Sequence, residues 1–237
     1  NDQHWGPSIS ADIVVIGGGT AGIGFVASLL KRDPALKITV IEPSAQHYYQ
    51  PAWTLVGGGA YDVKDTVRPM NKVMPKQANW LQAAVTAIDP DQRQLTLNDQ
   101  RTVSYQNLIV CPGLRLAWEK IEGLQESLGQ HGVTSNYSYQ HAQYTWDQVQ
   151  KLRGGKALFT QPAMPIKCAG APQKALYLSC DHWRKTAVLN NIHVEFNLAG
   201  AALFGVPTFV PPLMKYIEKY NAQLAFNSNL VKVDGPA

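Results

Sequence analysis

"DIVVIGGGTAGIGFVASLLKRDPALKITVIE", residues 12–42, decides the fold. Ile13 to Ile16 is an unbroken apolar run, the mark of a strand buried on both faces of a parallel sheet. Ile23, Val26, Ala27 and Leu30 then recur at helical spacing, and Ile38 to Ile41 is a second apolar strand. Two parallel strands joined through a helix need a crossover, which is right-handed in nearly all sheets. Gly17, Gly19 and Gly22 stand between the first strand and the helix as GxGxxG. The first glycine permits the tight turn. The second lets a pyrophosphate approach the backbone, and the third lets helix and strand pack closely. The helix N-terminus then offers free N–H groups and the positive end of its dipole. Glu42 ends the second strand, where a carboxylate accepts hydrogen bonds from a ribose. The same charge disfavours a 2′-phosphate, so NADP is not expected in this site. The motif by itself does not separate FAD from NAD.

Working outward, the 237 residues are 45% apolar and 16% charged, which excludes disorder and gives room for two domains. The net charge of +4 comes from scattered lysines and arginines, never more than two in a row, so there is no nucleic-acid footprint. Three cysteines, Cys111, Cys168 and Cys180, are too few for a disulfide scaffold, and neither they nor the histidines carry a metal-site spacing. The longest apolar stretch, 198–214, is broken by Gly200, Gly205, Pro207, Pro211 and Pro212, so no membrane span is expected.

Strand-like runs follow the first unit at 85–88, 94–97 and 107–110. A connector covers 113–136, and a helix at 139–155 is stopped by Gly154 and Gly155. A second alternation then begins: strand 156–160, helix 172–185, strand 192–197, helix 211–221 and strand-like pieces over 223–233. The reading is α/β with tandem Rossmann-like domains. The first dinucleotide-binding domain occupies 1–115, a connector with a helix 116–155, and an incomplete second domain 156–237. The second sheet has little left to close it, so the sequence is expected to be the front part of a longer protein.

The turn after strand 156–160 lacks a glycine fingerprint. It carries Pro162, Pro165, Pro172 and Cys168, with Gly170 alone. Proline removes N–H donors and fixes the backbone, the opposite of a phosphate cradle, so this domain is not expected to bind a nicotinamide in the usual way. Cys168 precedes a helix and lies between Lys167 and Lys174, which favours a thiolate; an inert buried cysteine is the alternative. Cys111 reads as a small packing residue. Cys180 falls on the following helix.

"YQNLIVCPG" (105–113) resembles the segment of two-domain flavoproteins in which the chain crosses back near the flavin. "HYYQPAWTLVGGG" (47–59) and "PIKCAGAPQK" (165–174) resemble the signature stretches of sulfide:quinone oxidoreductases, with "SNYS" (135–138) and "FGV" (204–206) as weaker matches. These belong to the FAD-dependent pyridine nucleotide-disulfide oxidoreductases, of glutathione-reductase-like fold. The resemblance implies FAD as cofactor. Gly17, Gly19, Thr20, Ala21 and Gly22 would hold its pyrophosphate and Glu42 its ribose. Gln50 would lie near the cofactor (or pack a loop), Val85 near the adenine, and Gly113 at the crossover. His47 is a further candidate to face it.

The resemblance also implies that Cys168 is one of a redox pair beside the flavin. Sulfide attacks the oxidised pair and leaves a persulfide, and electrons pass through FAD to a quinone. The partner cysteine and quinone pocket would lie in a C-terminal portion outside this sequence, so this stretch alone is expected to be inactive. Peripheral attachment to a bacterial or mitochondrial inner membrane is implied as well, and a homo-oligomer is compatible with it. Two other readings stay open: a type II NADH:quinone dehydrogenase-like flavoenzyme, and a non-catalytic flavin-binding module.

Overall fold

The parallel core strand read at Ile13–Ile16 is the end of a longer one. The computed structural model describes residues 6–237. In chain order the strands are β1 (Ser8–Ile16), β2 (Ile38–Ile41), β3 (Gln46–Tyr48), β4 (Val67–Pro69), β5 (Asn79–Leu81), β6 (Val85–Asp89), β7 (Gln94–Leu97), β8 (Thr102–Val110), β9 (Gly155–Gln161), β10 (Ile192–Leu198) and β11 (Gln223–Ala225). The helices are α1 (Thr20–Arg32), α2 (Trp53–Gly57), α3 (Met70–Val73), α4 (Leu124–Ser127), α5 (Tyr139–Lys151), α6 (Ala171–Lys185) and α7 (Val210–Lys219).

Two units partition the chain. The first takes residues up to Tyr49 together with Val67–Arg115, and the second takes Gln50–Thr66 with Leu116–Ala237. Residues 50–66, expected within the first domain, and residues 116–155, expected as a separate connector, both fall in the second unit. The chain leaves the first unit after β3 and re-enters it at β4, its antiparallel partner. The excursion between them packs by backbone proximity. A Cβ on Gly57 would meet Asn136, one on Gly58 Leu178, and one on Gly59 Trp146. Three consecutive glycines thus let α2 close on its neighbours in the second unit.

In the first unit the sheet runs β5-β2-β1-β8-β7-β6. β1 pairs in parallel with both β2 and β8, whereas β7 and β6 add antiparallel. Alternation along β1 explains its unbroken apolar run. Val14 faces a cluster with Ile41, Leu81, Leu95 and Val103, while Val15 packs with Val26 and Leu30 of α1 and with Ile38 of β2. The buried stripe of α1 is Gly22, Val26 and Leu30, with Leu29 packed beside it; Ala27, expected inside, lies off that stripe and is exposed. With β2 on one side of β1 and β8 on the other, the strand order reverses at the C-terminal end of β1. Open α/β sheets bind their ligands at this point.

The second unit carries a parallel sheet in the order β11-β10-β9. Its core holds Leu176, Cys180, Trp183, Phe196 and Leu198. The Trp183 indole N–H donates to the Val149 carbonyl at 2.8 Å, so the largest buried side chain has its polar atom satisfied. Of the strand-like pieces expected at 223–233, only 223–225 joins this sheet; further on, Glu122 exchanges backbone bonds with Val231 and Val233. The chain has two Rossmann-like halves.

Candidate functional site

In the first unit, the glycines of GxGxxG separate by physical role. A Cβ on Gly17 would lie 1.9 Å from the Cys111 carbonyl oxygen, and one on Gly22 would lie 1.8 Å from the Gly17 carbonyl oxygen. Both are therefore required by the chain's own packing. Gly19 is different. Nothing lies within 4 Å of where its Cβ would point, and its φ of −74° suits any residue. The space that Gly19 keeps open fronts the N-terminus of α1. That helix has no side-chain cap and no acidic residue in its first turn. An open, uncapped helix start without negative charge fits a pyrophosphate. Thr20 and Ala21 are exposed at this start.

Glu42 is brought to the same turn. Its carboxylate accepts the Gly18 N–H at 3.0 Å and the Ser44 N–H at 2.8 Å. These two bonds hold the acid in place, and each carboxylate oxygen keeps lone-pair capacity for a ribose hydroxyl. Gly18, the unassigned residue of the motif, matters as much as its neighbours: a Cβ there would lie 2.8 Å from the Glu42 side chain. His47 Nδ1 sits 2.9 Å from the Gly18 carbonyl oxygen, so the histidine joins this turn too. The glycine run was visible in the sequence, but contacts across 24 and 29 residues were not.

Gly113 has φ +75° just after β8. Cys111, expected to be a buried packing residue, is half-buried, and its N–H donates to the Ile16 carbonyl at 2.8 Å. Its backbone, more than its sulfur, abuts the glycine turn. Val85 starts β6 at the sheet's antiparallel edge, half-buried against the core, three strands from β1. The structure does not bring it together with Gly17–Gly22.

In the second unit, β9 runs into the elbow 162–170. Pro172 lies inside α6 rather than before it. Ala171 N–H donates to the Cys168 carbonyl at 2.9 Å, and Pro172 has no N–H, so the first two helical residues offer a ligand no donor. The elbow presents a thiol instead. Cys168 is exposed and takes φ +56°, a left-handed conformation unusual outside glycine. Lys174 Nζ stands 3.9 Å from its sulfur. Lys167 turns to Gln50, whose side-chain carbonyl accepts its ammonium, and burial pulls the Lys167 ammonium below its ordinary range, with Cys168 opposing. Gln50 is thus brought together with Lys167. Tyr137 donates to the Lys167 carbonyl at 2.7 Å and reaches the Cys168 carbonyl at 3.3 Å. Nothing within "SNYS" marks the tyrosine for this part, because its two acceptors lie 30 and 31 residues further along the chain.

Cys180 is fully buried, and desolvation pushes its thiol up to about 12. It is a core residue. Among the described residues no group of acids, histidines and cysteines can hold a metal, and no helix is long and apolar enough to cross a membrane.

A glycine turn at the sheet's switch point and a thiol-bearing elbow in a second parallel unit define the class: a dinucleotide-binding oxidoreductase fold with two Rossmann-like halves. The family model of pyridine nucleotide-disulphide oxidoreductases matches residues 11–156, and the chain belongs to that family. It is 40% identical over 226 residues to the mitochondrial sulfide:quinone oxidoreductase of Dictyostelium discoideum, covering 94% of this chain and 50% of that protein. With the mouse mitochondrial sulfide:quinone oxidoreductase it shares 37% identity over 222 residues, covering 94% and 49%. The chain spans about half the length of the curated relatives it matches. The solved sulfide:quinone oxidoreductase of Aquifex aeolicus superposes with a TM-score of 0.78 at 21% identity, covering 94% of this chain and 52% of that one.

Proposed function

We propose that this protein is a sulfide:quinone oxidoreductase, in which sulfide is oxidised at Cys168 and a membrane quinone is the final electron acceptor. One observation carries the reading: where a nicotinamide-binding unit needs donors, the chain places an exposed thiol with a lysine ammonium 3.9 Å away. The similarity to sulfide:quinone oxidoreductases across 94% of the chain supports the same assignment.

Gly17, Gly19, Thr20, Ala21 and Gly22 would hold the pyrophosphate of FAD and Glu42 its ribose, with Gly113 as a further cofactor-facing position. When bound, FAD supplies the two-electron redox chemistry that links thiol to quinone. Cys168 forms an oxidised pair with a second cysteine of the full-length protein. Hydrosulfide attacks that pair; the S–S bond breaks, a new sulfur–sulfur bond leaves one cysteine as a persulfide, and the other departs as a thiolate. Lys174 stabilises the negative charge on the Cys168 sulfur. Attachment is peripheral, to a bacterial or mitochondrial inner membrane.

Substitution Cys168→Ser in the full-length protein tests the proposal. Sulfide-dependent quinone reduction is expected to vanish while the yellow cofactor stays bound; retained turnover overturns the assignment.

A further inference from the structure

Cys168 holds a backbone conformation that the sequence around it does not favour. At φ +56° a residue with a Cβ sits in the left-handed region, where only glycine and, less often, asparagine or aspartate rest easily. Something must hold it there. From α6, the Ala171 N–H donates to the Cys168 carbonyl at 2.9 Å. From the other side, the Tyr137 hydroxyl donates to the preceding carbonyl, that of Lys167, at 2.7 Å and lies 3.3 Å from that of Cys168. One phenol thus spans the two carbonyls that bracket the Cys168 φ and ψ angles, across 30 residues of chain.

We infer that Tyr137 is the positioning residue of the reactive cysteine: its hydroxyl clamps the Lys167 and Cys168 carbonyls, fixes the left-handed turn, and so presents the sulfur to Lys174. The inference rests on Cys168 being the reactive thiol. Three features suit the tyrosine to the task. Its ring is half-buried, so the hydroxyl is delivered from a fixed direction. The Tyr137 N–H donates to the Ser135 hydroxyl at 3.1 Å, which orders the backbone that carries the ring. Burial first, and then the nearby Cys168 charge, push its hydroxyl up to about 12, so it remains a donor throughout the pH range in which the cysteine reacts.

The test replaces Tyr137 by Phe in the full-length protein, which deletes one oxygen and leaves the ring. The readout is the rate of iodoacetamide labelling at Cys168 once the cysteine pair has been reduced with dithiothreitol and the reductant removed without air, followed by peptide mass mapping, beside flavin content and kcat for sulfide. A roughly five- to tenfold slower labelling is expected, because the turn relaxes once its clamp is lost, with flavin content unchanged. Para-aminophenylalanine at position 137 restores an N–H donor and is expected to recover most of the rate. Wild-type labelling and kcat in Tyr137→Phe overturn the clamp, as does slow labelling that the amino variant fails to rescue, which would mark the hydroxyl as merely structural. Failure of the underlying reading shows elsewhere, as turnover retained by Cys168→Ser, so the two are told apart.

Discussion

Lys174 Nζ lies 3.9 Å from Cys168 Sγ, while Lys167, the residue next to the cysteine in sequence, turns to Gln50 instead. The charge that serves the thiol therefore comes from one turn into α6, not from the neighbouring position. With Cys168 held as the free thiol, the substitution Lys174→Met is expected to slow its iodoacetamide labelling at neutral pH by roughly two- to fivefold, the worth of one exposed charge at this range. The difference should shrink in high salt, where screening removes it. Lys167→Met should have the smaller effect of the two.

Gly17 and Gly19 are expected to fail in different ways. Gly17→Ala drives a methyl into the Cys111 carbonyl at a residue with φ +104° and should lower unfolding stability by about 2 kcal/mol or more. Gly19→Ala meets nothing in the chain. Its stability without cofactor should stay within about 1 kcal/mol of wild type, while the visible flavin absorbance per protein falls sharply. Thermal unfolding and absorbance together separate the two.

Glu42→Gln keeps the shape of the side chain but turns an NH2 toward one of the two backbone donors that the carboxylate now accepts. One of the Gly18 and Ser44 N–H groups is left without its partner, which should cost about 1–2 kcal/mol in chemical denaturation. Flavin content is expected to fall with it, since the same group faces the ribose in the proposed complex.

Cys180 gives a pH dependence with a definite sign. Its folded thiol is pushed up from the ordinary 9.0 to about 12. A folded value above the unfolded one means a contribution present below about pH 9 and lost as pH rises toward 12, at up to about 1.4 kcal/mol per pH unit. Tyr177, pushed up from 10.0 to about 12, adds to the same decline from about pH 10. Cys180→Ala should flatten the decline between pH 9 and 10 while lowering stability by about 1 kcal/mol at neutral pH. Denaturation midpoints at several pH values check both. The native thiol should also resist alkylation until the protein unfolds.

The strands and helices that periodicity defines were legible before any coordinates. Ile38–Ile41 is a strand buried along its whole length, and β10 and α6 agree within a residue with the expected 192–197 and 172–185. What periodicity misses is short or half-exposed. Ser8 to Asp12 carries polar residues because the start of β1 is only partly covered, so the strand looked four residues long. β5, three residues at a parallel edge, is too brief to hold a pattern.

By itself, the sequence determined the parallel crossover, the glycine turn with its acid, and the absence of such a turn in the second half, because these depend on residues close together along the chain. The tertiary structure alone decided which lysine meets Cys168, that Cys111 demands Gly17 through a backbone carbonyl, that the 50–66 excursion belongs with the second unit, and that Tyr137 reaches the cysteine's backbone. Each of those is a contact across many residues. Such contacts are set by how the elements pack, and local propensity carries no record of them.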